Sequence, residues 1–461
     1  MKYPLQAFME NAVYTIPGPA LYRDNPLIEA LPENPDDREL YSALIEKVPY
    51  DPEDRNLPIY ERIELIHTLG KVHIPVSSNA MIVRNIFSAI RMGYVGRNPF
   101  SFQMKDRLIQ TQSCIRDRDP NFRCIPSSNG NANGFSIIGD SGLGKSRSFE
   151  RALNFFPQIL IHSEYHGREF NHMQLVWMKL ECPHDGSVKG LCSAFFLEFD
   201  RLTGDNTLAK YAAGGRATTD QMIPQMALIS QRHSLGLLVI DEIQNISSAK
   251  SGGAEKLLKF LIQLVNTIGI PILLVGTPEA ESCLTMTLQS ARRTAGQQGA
   301  VRLRPLELES DDWKSFIRGI WKYQWTKTTV PLTEEFKSVL HKISYGNLYA
   351  AMVVYKEAQK IAIIGEQCGE DGTLKIEHFY RAEQSDAFKA VLKHLGLEEK
   401  WRCEKEQSIK KTEKKRIRTP IEKMQGTNQN IRTSKRKNKT ADEIETELDL
   451  DSLIVKEHEH F

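Results

Sequence analysis

Cysteine is scarce in this chain: seven in 461 residues, at positions 114, 124, 182, 192, 283, 368 and 403, with no pair at C-x-x-C spacing. An odd number spread over a long chain argues against a disulfide framework. Cys182 and His184 lie two apart, but no second ligand pair follows, so the spacing of a structural zinc site is missing. Long hydrophobic runs are missing too. The longest uncharged apolar stretches, 235–240 and 270–275, are far too short to span a bilayer. The opening Met1-Lys2-Tyr3-Pro4 has no apolar core of the kind a secretion signal needs. These absences predict a soluble, cytoplasmic protein with no membrane partner.

An excess of one charge is missing overall, since the formal net charge is +2. The distribution is uneven, however. Residues 401–440 hold 14 Lys/Arg against 4 Asp/Glu, and residues 441–461 hold 8 Asp/Glu against one Lys. The body before residue 400 is near neutral, so the isoelectric point reports on the tail.

Prolines cluster at the start, nine of them within residues 1–58. Each removes a backbone donor, which predicts an extended arm over 1–57 with short helical pieces such as 38–47. A helical section follows over 58–126. Ile63, Ile66 and Leu69 share one face, as do Ile82, Ile86 and Ile90, and Gly93 reads as a helix stop before the basic turn 93–99. From 127 to 309, short apolar strands at 135–138, 175–180, 235–240 and 270–275 alternate with helices at 189–202 and 255–268. That alternation predicts a parallel sheet covered on both faces. Residues 310–365 read as a helical lid (311–323, 333–344 and 348–364). Residues 366–461 read as one helix near 376–395 and a charged, partner-binding tail, disordered beyond about 405 because it buries too little apolar surface.

Within the core, Gly139-Asp140-Ser141-Gly142-Leu143-Gly144-Lys145-Ser146 matches G-x-x-x-x-G-K-[ST] in full, after a strand and before a helix. Glycines let the backbone wrap a phosphate with its N–H groups turned inward, and the next helix adds its positive end. Lys145 is expected to reach the β- and γ-phosphates of ATP, and the Ser146 hydroxyl to bind Mg²⁺. Leu237-Leu238-Val239-Ile240-Asp241-Glu242 is an apolar strand ending in two acids. Asp241 is expected on Mg²⁺ and Glu242 on the attacking water, which points to hydrolysis rather than binding alone. A third strand ends at Thr277, placed to sense the γ-phosphate. Arg292 or Arg293 is a candidate finger for a neighbouring subunit's site; a solvated helix end or a DNA contact is the other reading.

The run 177–190 (Trp-Met-Lys-Leu-Glu-Cys-Pro-His-Asp-Gly-Ser-Val-Lys-Gly) resembles the segment after the second core strand of TnsC/TniB transposition regulators. So do 238–244, Gly276-Thr277-Pro278, Ala291-Arg292-Arg293 and the stretch 60–99. The resemblance spans roughly 58–365 and implies an AAA+ P-loop ATPase: an α/β fold with a parallel sheet flanked by helices, a small helical lid, an N-terminal extension and a mostly disordered C-terminal tail. MuB is a more distant relative. The family implies ATP-dependent binding to double-stranded DNA as a homo-oligomer, ring or filament. It also implies linkage of a target-selection protein to transposase subunits, with hydrolysis resetting the assembly. One departure stands out: many lids of this class carry a sensor arginine where this chain has Ser344-Tyr345-Gly346-Asn347-Leu348. Sensing then falls to Asn347 or Lys356.

Lys179, Lys189 and Arg168, in or near loops flanking the second strand, are candidate DNA phosphate contacts. The basic cluster from Lys410 to Lys437 is either a second DNA contact or a solvated linker. The acidic-hydrophobic end, with Ile444, Leu448, Leu450, Leu453, Ile454 and Val455, reads as a docking peptide for transposase. Two other functions fit the nucleotide motifs: a replication initiator or helicase loader, and a signalling ATPase acting on proteins without DNA.

Overall fold

In the computed structural model of the chain, the described residues are 8–117, 134–248, 260, 270–280 and 300–398. The chain divides into two units, Met1–Glu399 and Lys400–Phe461. The second unit lies outside the described residues, and with it the basic cluster and the acidic-hydrophobic end. So does most of the helix expected over 255–268. No helix among the described residues is long and apolar enough to cross a membrane.

The proline-rich start is more than an arm. β1 (Met9–Asn11) is followed by α1 (Pro26–Glu29), with Asn25 capping it and Pro26 at its first position, where the missing donor costs nothing. α2 (Asp37–Leu44) opens with a reciprocal capping box between Asp36 and Glu39. Leu27, Ile28, Leu31, Leu40 and Leu44 are fully or almost fully buried, within a cluster that covers one face of the central sheet. Proline interrupted regular structure as expected, but the leucines between the prolines give the segment enough apolar area to pack. α3 (Ile59–Thr68) and α4 (Ser77–Val95) follow. Gly93 does not stop α4, which runs on to Val95. A Cβ at Gly93 would lie 2.5 Å from Pro271 Cγ, so the glycine allows a close approach instead. The arginine of the basic turn after it is buried as well. The Arg97 guanidinium donates to the carbonyls of Gly93 and Leu235, each at 2.6 Å, and lies over the Tyr94 ring. Burial lowers its pKa to about 10, with Tyr94 countering and Arg107 adding to the fall. α5 (Phe102–Arg116) closes this section.

The core begins with β2 (Phe135–Ile138) and α6 (Lys145–Leu153). Next comes a hairpin, β3 (Ile159–Tyr165) and β4 (Arg168–Leu175), joined through His166 and Gly167, both at positive φ. β1 pairs in parallel with β3, so the start of the chain and the hairpin form a three-stranded sheet. After the hairpin come β5 (Trp177–Glu181), α7 (Val188–Thr203), α8 (Thr207–Ala212), α9 (Thr219–Arg232), β6 (Leu237–Asp241), β7 (Ile272–Gly276) and β8 (Val301–Arg302). The strands align in the order β5-β6-β7-β2-β8, all parallel. β6 is buried along its whole length. Its Leu238 and Ile240 share one buried cluster with Phe195, Phe196 and Phe199 of α7 and Met222 and Met226 of α9, whereas Leu237 and Val239 belong to the cluster on the other face, with residues of α4 and α6. Each phenylalanine so buried contributes roughly 2 kcal/mol, and cover on both faces is what a parallel sheet of continuous apolar strands requires.

The lid follows: α10 (Asp311–Trp321), α11 (Glu334–Ser344) and α12 (Leu348–Gly365), capped by Ser310, Thr333 and Asn347. The single helix expected over 376–395 is two, α13 (Ile376–Glu383) and α14 (Asp386–His394). Ser385 accepts from the Phe388 N–H and starts the second. Residues 46–77 are pinned to the lid at three points. Arg62, itself buried, makes a two-pronged pair with Glu366 at 2.8 and 2.6 Å. Tyr50 donates to the Gln324 carbonyl at 2.8 Å, and Ser77 binds the Asp312 carboxylate through both N–H and hydroxyl.

Under the hairpin sit three histidines. His162 bonds Tyr14 at 2.7 Å and Gln174 at 2.8 Å, and His172 bonds Ser234 at 3.0 Å. Burial lowers all three pKa values, that of His172 to about 4 with His162 and His233 adding to the fall. A base whose folded pKa is depressed stays neutral in the fold while the unfolded chain takes up protons. Its contribution is complete above the unfolded value near 6.5 and is lost as pH falls toward 4. His172 alone is expected to cost about 2 kcal/mol of stability between pH 7 and pH 5. Urea unfolding at the two pH values measures this, and His172→Gln is expected to flatten the dependence.

Candidate nucleotide site

The loop 139–146 joins the end of β2 to the start of α6. Gly142 and Gly144 take φ of 78° and 83°, which an L side chain rarely adopts. Gly144 is the N-cap of α6, so the loop's last N–H groups point along the helix start. Lys145 folds back, and its ammonium donates to the carbonyls of Gly139 at 2.7 Å and Asp140 at 3.1 Å. Burial lowers its pKa, against the raising charges of Glu242, Asp241 and Asp140.

β6 delivers the acids. Asp241 is buried; its Oδ1 accepts from the Glu242 N–H at 2.9 Å, and its Oδ2 lies 3.4 Å from the Ser146 hydroxyl. Burial raises its pKa, the Glu242 N–H and Lys179 lower it, and Glu242 and Glu150 raise it further. Glu242 stands at φ 55°, the left-handed region, at a cost on the order of 1 kcal/mol. That backbone turn carries its exposed side chain off the strand end. Gln244 bridges outward from there: its amide NH₂ donates to the Glu242 carboxylate, and its carbonyl oxygen accepts from the Thr277 N–H at 3.2 Å. The Thr277 hydroxyl is buried and has no partner among the described residues. β7, which ends one residue before Thr277, lies between β6 and β2, so sheet order sets the threonine between the acids and the loop.

The lid closes on the same loop. Asn347 Nδ2 donates to the Ser141 carbonyl at 3.1 Å, while its Oδ1 accepts from the N–H groups of Tyr349 and Ala350 and caps α12. The Tyr349 N–H also reaches the Gly142 carbonyl at 3.2 Å. Beside the loop lies a cavity of about 290 Å³, lined by Gly142 and Gly144, by Ile74 and Val76, and by Phe316 and Met352 of the lid. Lys356 and His73 also line it. Burial and the Arg147 charge lower the His73 pKa to about 4, and its buried Nε2 has no partner among the described residues.

The architecture and the loop now meet an independent finding: a family model described as "AAA domain" matches residues 129–284. Over those residues the chain is similar to AAA domains. Its fold is the AAA+ P-loop fold, a five-stranded parallel sheet flanked by helices. No curated protein matches the chain. Among solved structures, it is similar to the ORC2 protein of Aeropyrum pernix, at 15% identity and a TM-score of 0.36 over 60% of this chain and 66% of that one. It is similar also to Cdc6p of Pyrobaculum aerophilum, at 13% and 0.35 over 63% and 70%. The RuvB protein of Thermotoga maritima gives 13% and 0.31 over 61% and 68%.

The AAA-like core gathers Gly139, Asp140, Ser141, Gly142, Leu143, Gly144, Lys145, Ser146, Asp241, Glu242 and Thr277 at the ends of its central strands. Arg292 and Arg293 lie outside the described residues. The three candidate DNA lysines and arginine are not brought together. Arg168 starts β4 in the other sheet and is exposed. Lys189, in the first turn of α7, donates to the Gly215 carbonyl at 2.6 Å. Lys179 turns toward the acids, 2.6 Å from Glu150 and 3.6 Å from Asp241. Motif reading missed Gln244, His73 and the 72–79 wall of the cavity. No local pattern marks the wall, because it lies some seventy residues before the loop it adjoins.

Asn347→Ala is expected to cost about 1 kcal/mol through the lost cap and to weaken nucleotide binding. Asn347→Ser keeps a capping oxygen but cannot span to Ser141, so it is expected to restore the thermal midpoint and not the affinity. Calorimetry and a fluorescent nucleotide titration on the two variants separate these effects.

Proposed function

We propose that the chain binds ATP with Mg²⁺ at the AAA-like core and hydrolyses it. The observation that carries this reading is the convergence of the loop 139–146, Asp241-Glu242 and the buried Thr277 hydroxyl, which has no partner among the described residues. Those groups suit the ligands. A buried hydroxyl lacking an acceptor invites a phosphate oxygen, and a serine hydroxyl beside a carboxylate offers the hard oxygen donors that Mg²⁺ takes. Ser146 and Asp241 would hold the metal, which supplies charge neutralisation between the β- and γ-phosphates. Lys145 leaves the carbonyls of Gly139 and Asp140 for the phosphates. Glu242 accepts a proton from the attacking water, held in line by the Gln244 amide. The Thr277 hydroxyl donates to the γ-phosphate. The base enters the cavity between residues 72–79 and the lid, where His73 Nε2 meets its polar edge.

The wider role we propose is an ATP-switched regulator of transposition that assembles as a homo-oligomer on double-stranded DNA and links a target-selection protein to transposase. Its support is the sequence resemblance over 58–365, above all the run 177–190. With Lys179 and Lys189 engaged inside the chain, DNA contacts would rest on other cations as well.

Lys145→Ala is expected to abolish nucleotide binding. Glu242→Gln is expected to bind ATP normally and to hydrolyse it about 100-fold more slowly or worse. Met352→Trp, which fills the cavity, is expected to raise the ATP dissociation constant at least about tenfold. For the wider role, co-sedimentation with random duplex DNA is expected with ATP, but not with ADP and not for Lys145→Ala. Equal sedimentation under all nucleotides would refute the ATP switch, and none under any would refute the DNA role.

A further inference from the structure

Lys179 sits on β5 with its side chain about a quarter exposed. Its ammonium lies 2.6 Å from Glu150 Oε1, 3.6 Å from Asp241 Oδ2 and 5.2 Å from the centre of the Phe149 ring. The two carboxylates come from different elements, Glu150 from the helix after the phosphate loop and Asp241 from the end of β6. Asp241 Oδ1 is occupied by the Glu242 N–H, so Oδ2 is the oxygen left to face the Ser146 hydroxyl. Lys179 approaches that same oxygen. A fixed unit charge therefore stands on the metal side of the carboxylate expected to hold the metal.

We propose that Lys179 is a positioning residue that sets how tightly the site takes its divalent cation, and that Glu150 restrains the ammonium so that it weakens Asp241 without neutralising it outright. The inference rests on the nucleotide and Mg²⁺ reading above and deepens it. A cation entering between Ser146 and Asp241 meets repulsion from the ammonium and shares Oδ2 with it. The shorter contact to Glu150 keeps the ammonium from closing fully on Asp241. Removing the lysine leaves two carboxylates facing one space and raises the attraction for a divalent ion. Removing the charge of Glu150 releases the lysine onto Asp241 and lowers it. The opposite signs distinguish this arrangement from a lysine that merely props up the strand, whose loss would loosen the site in either variant.

The test uses the full chain with a non-hydrolysable ATP analogue and Mn²⁺ as the probe, reading free Mn²⁺ by electron paramagnetic resonance. Lys179→Met keeps the aliphatic stem over Phe149, and thermal midpoints verify that each variant is folded. The Mn²⁺ dissociation constant is expected to fall about fivefold in Lys179→Met and to rise about fivefold in Glu150→Gln. In Lys179→Arg, which keeps the charge, it should stay within about twofold. Shifts in the same direction for the first two variants, or no shift in either, would overturn the inference. Analogue binding without metal is read in parallel from a fluorescent derivative. Normal analogue binding with unshifted Mn²⁺ affinity defeats this inference alone, whereas no analogue binding by the wild-type chain defeats the reading beneath it as well.

Discussion

A loop that turns its N–H groups toward a phosphate must turn carbonyls elsewhere, and those carbonyls need donors. In this chain Lys145 serves the carbonyls of Gly139 and Asp140, and the lid serves the next two. Asn347 supplies one to Ser141 and the Tyr349 backbone supplies another to Gly142. Gly142 is where the loop is most tightly enclosed: a Cβ there would meet Leu395 Cδ2 at 2.7 Å and Asn347 Oδ1 at 2.9 Å. The rest of the site depends on this junction. It fixes the start of α12 against the loop, and α12 in turn carries Met352 and Lys356 to the cavity. Through Arg62–Glu366, Tyr50 and Ser77–Asp312, the lid holds residues 46–77, so the far wall of the cavity is tied to the near one.

That arrangement joins the lid to the loop through an uncharged side chain. A charged sensor reads a phosphate directly, and Asn347 instead touches the loop that wraps it. The asparagine is 2% exposed and uses both ends of its amide, one on the helix and one on the loop. A change in the loop backbone at Ser141 therefore reaches the cap of α12 directly.

The strands of the candidate site were legible in the sequence because their motifs are local. An apolar run ending in Asp241-Glu242, and a glycine-rich loop between a strand and a helix, each lie within a few residues of one another. The two-sided sheet followed from strands without polar alternation. The hairpin 159–175 was not read, because a His166-Gly167 turn is a weaker signal than Asn-Gly and the histidines among its strands break the apolar pattern. The packing of residues 26–44 was hidden behind the prolines, and Gly93 was misread because only the position of Pro271 explains it. Lys179 is the instructive case. Its charge and its place beside a loop suggest a phosphate partner on DNA, and its position on β5, opposite Val239, brings its ammonium to 3.6 Å from Asp241. Charge is visible in sequence, but the direction of a side chain on a strand depends on its neighbours in the sheet.

The central claim is that nucleotide at the loop is felt by the lid through Asn347. Hydrogen–deuterium exchange on the full chain, with and without ATP and Mg²⁺, addresses it directly. The account predicts that protection rises together in 139–146, at the Asp241–Gln244 turn and in the first two turns of α12. Protection confined to 139–146, with α12 unchanged, would contradict it.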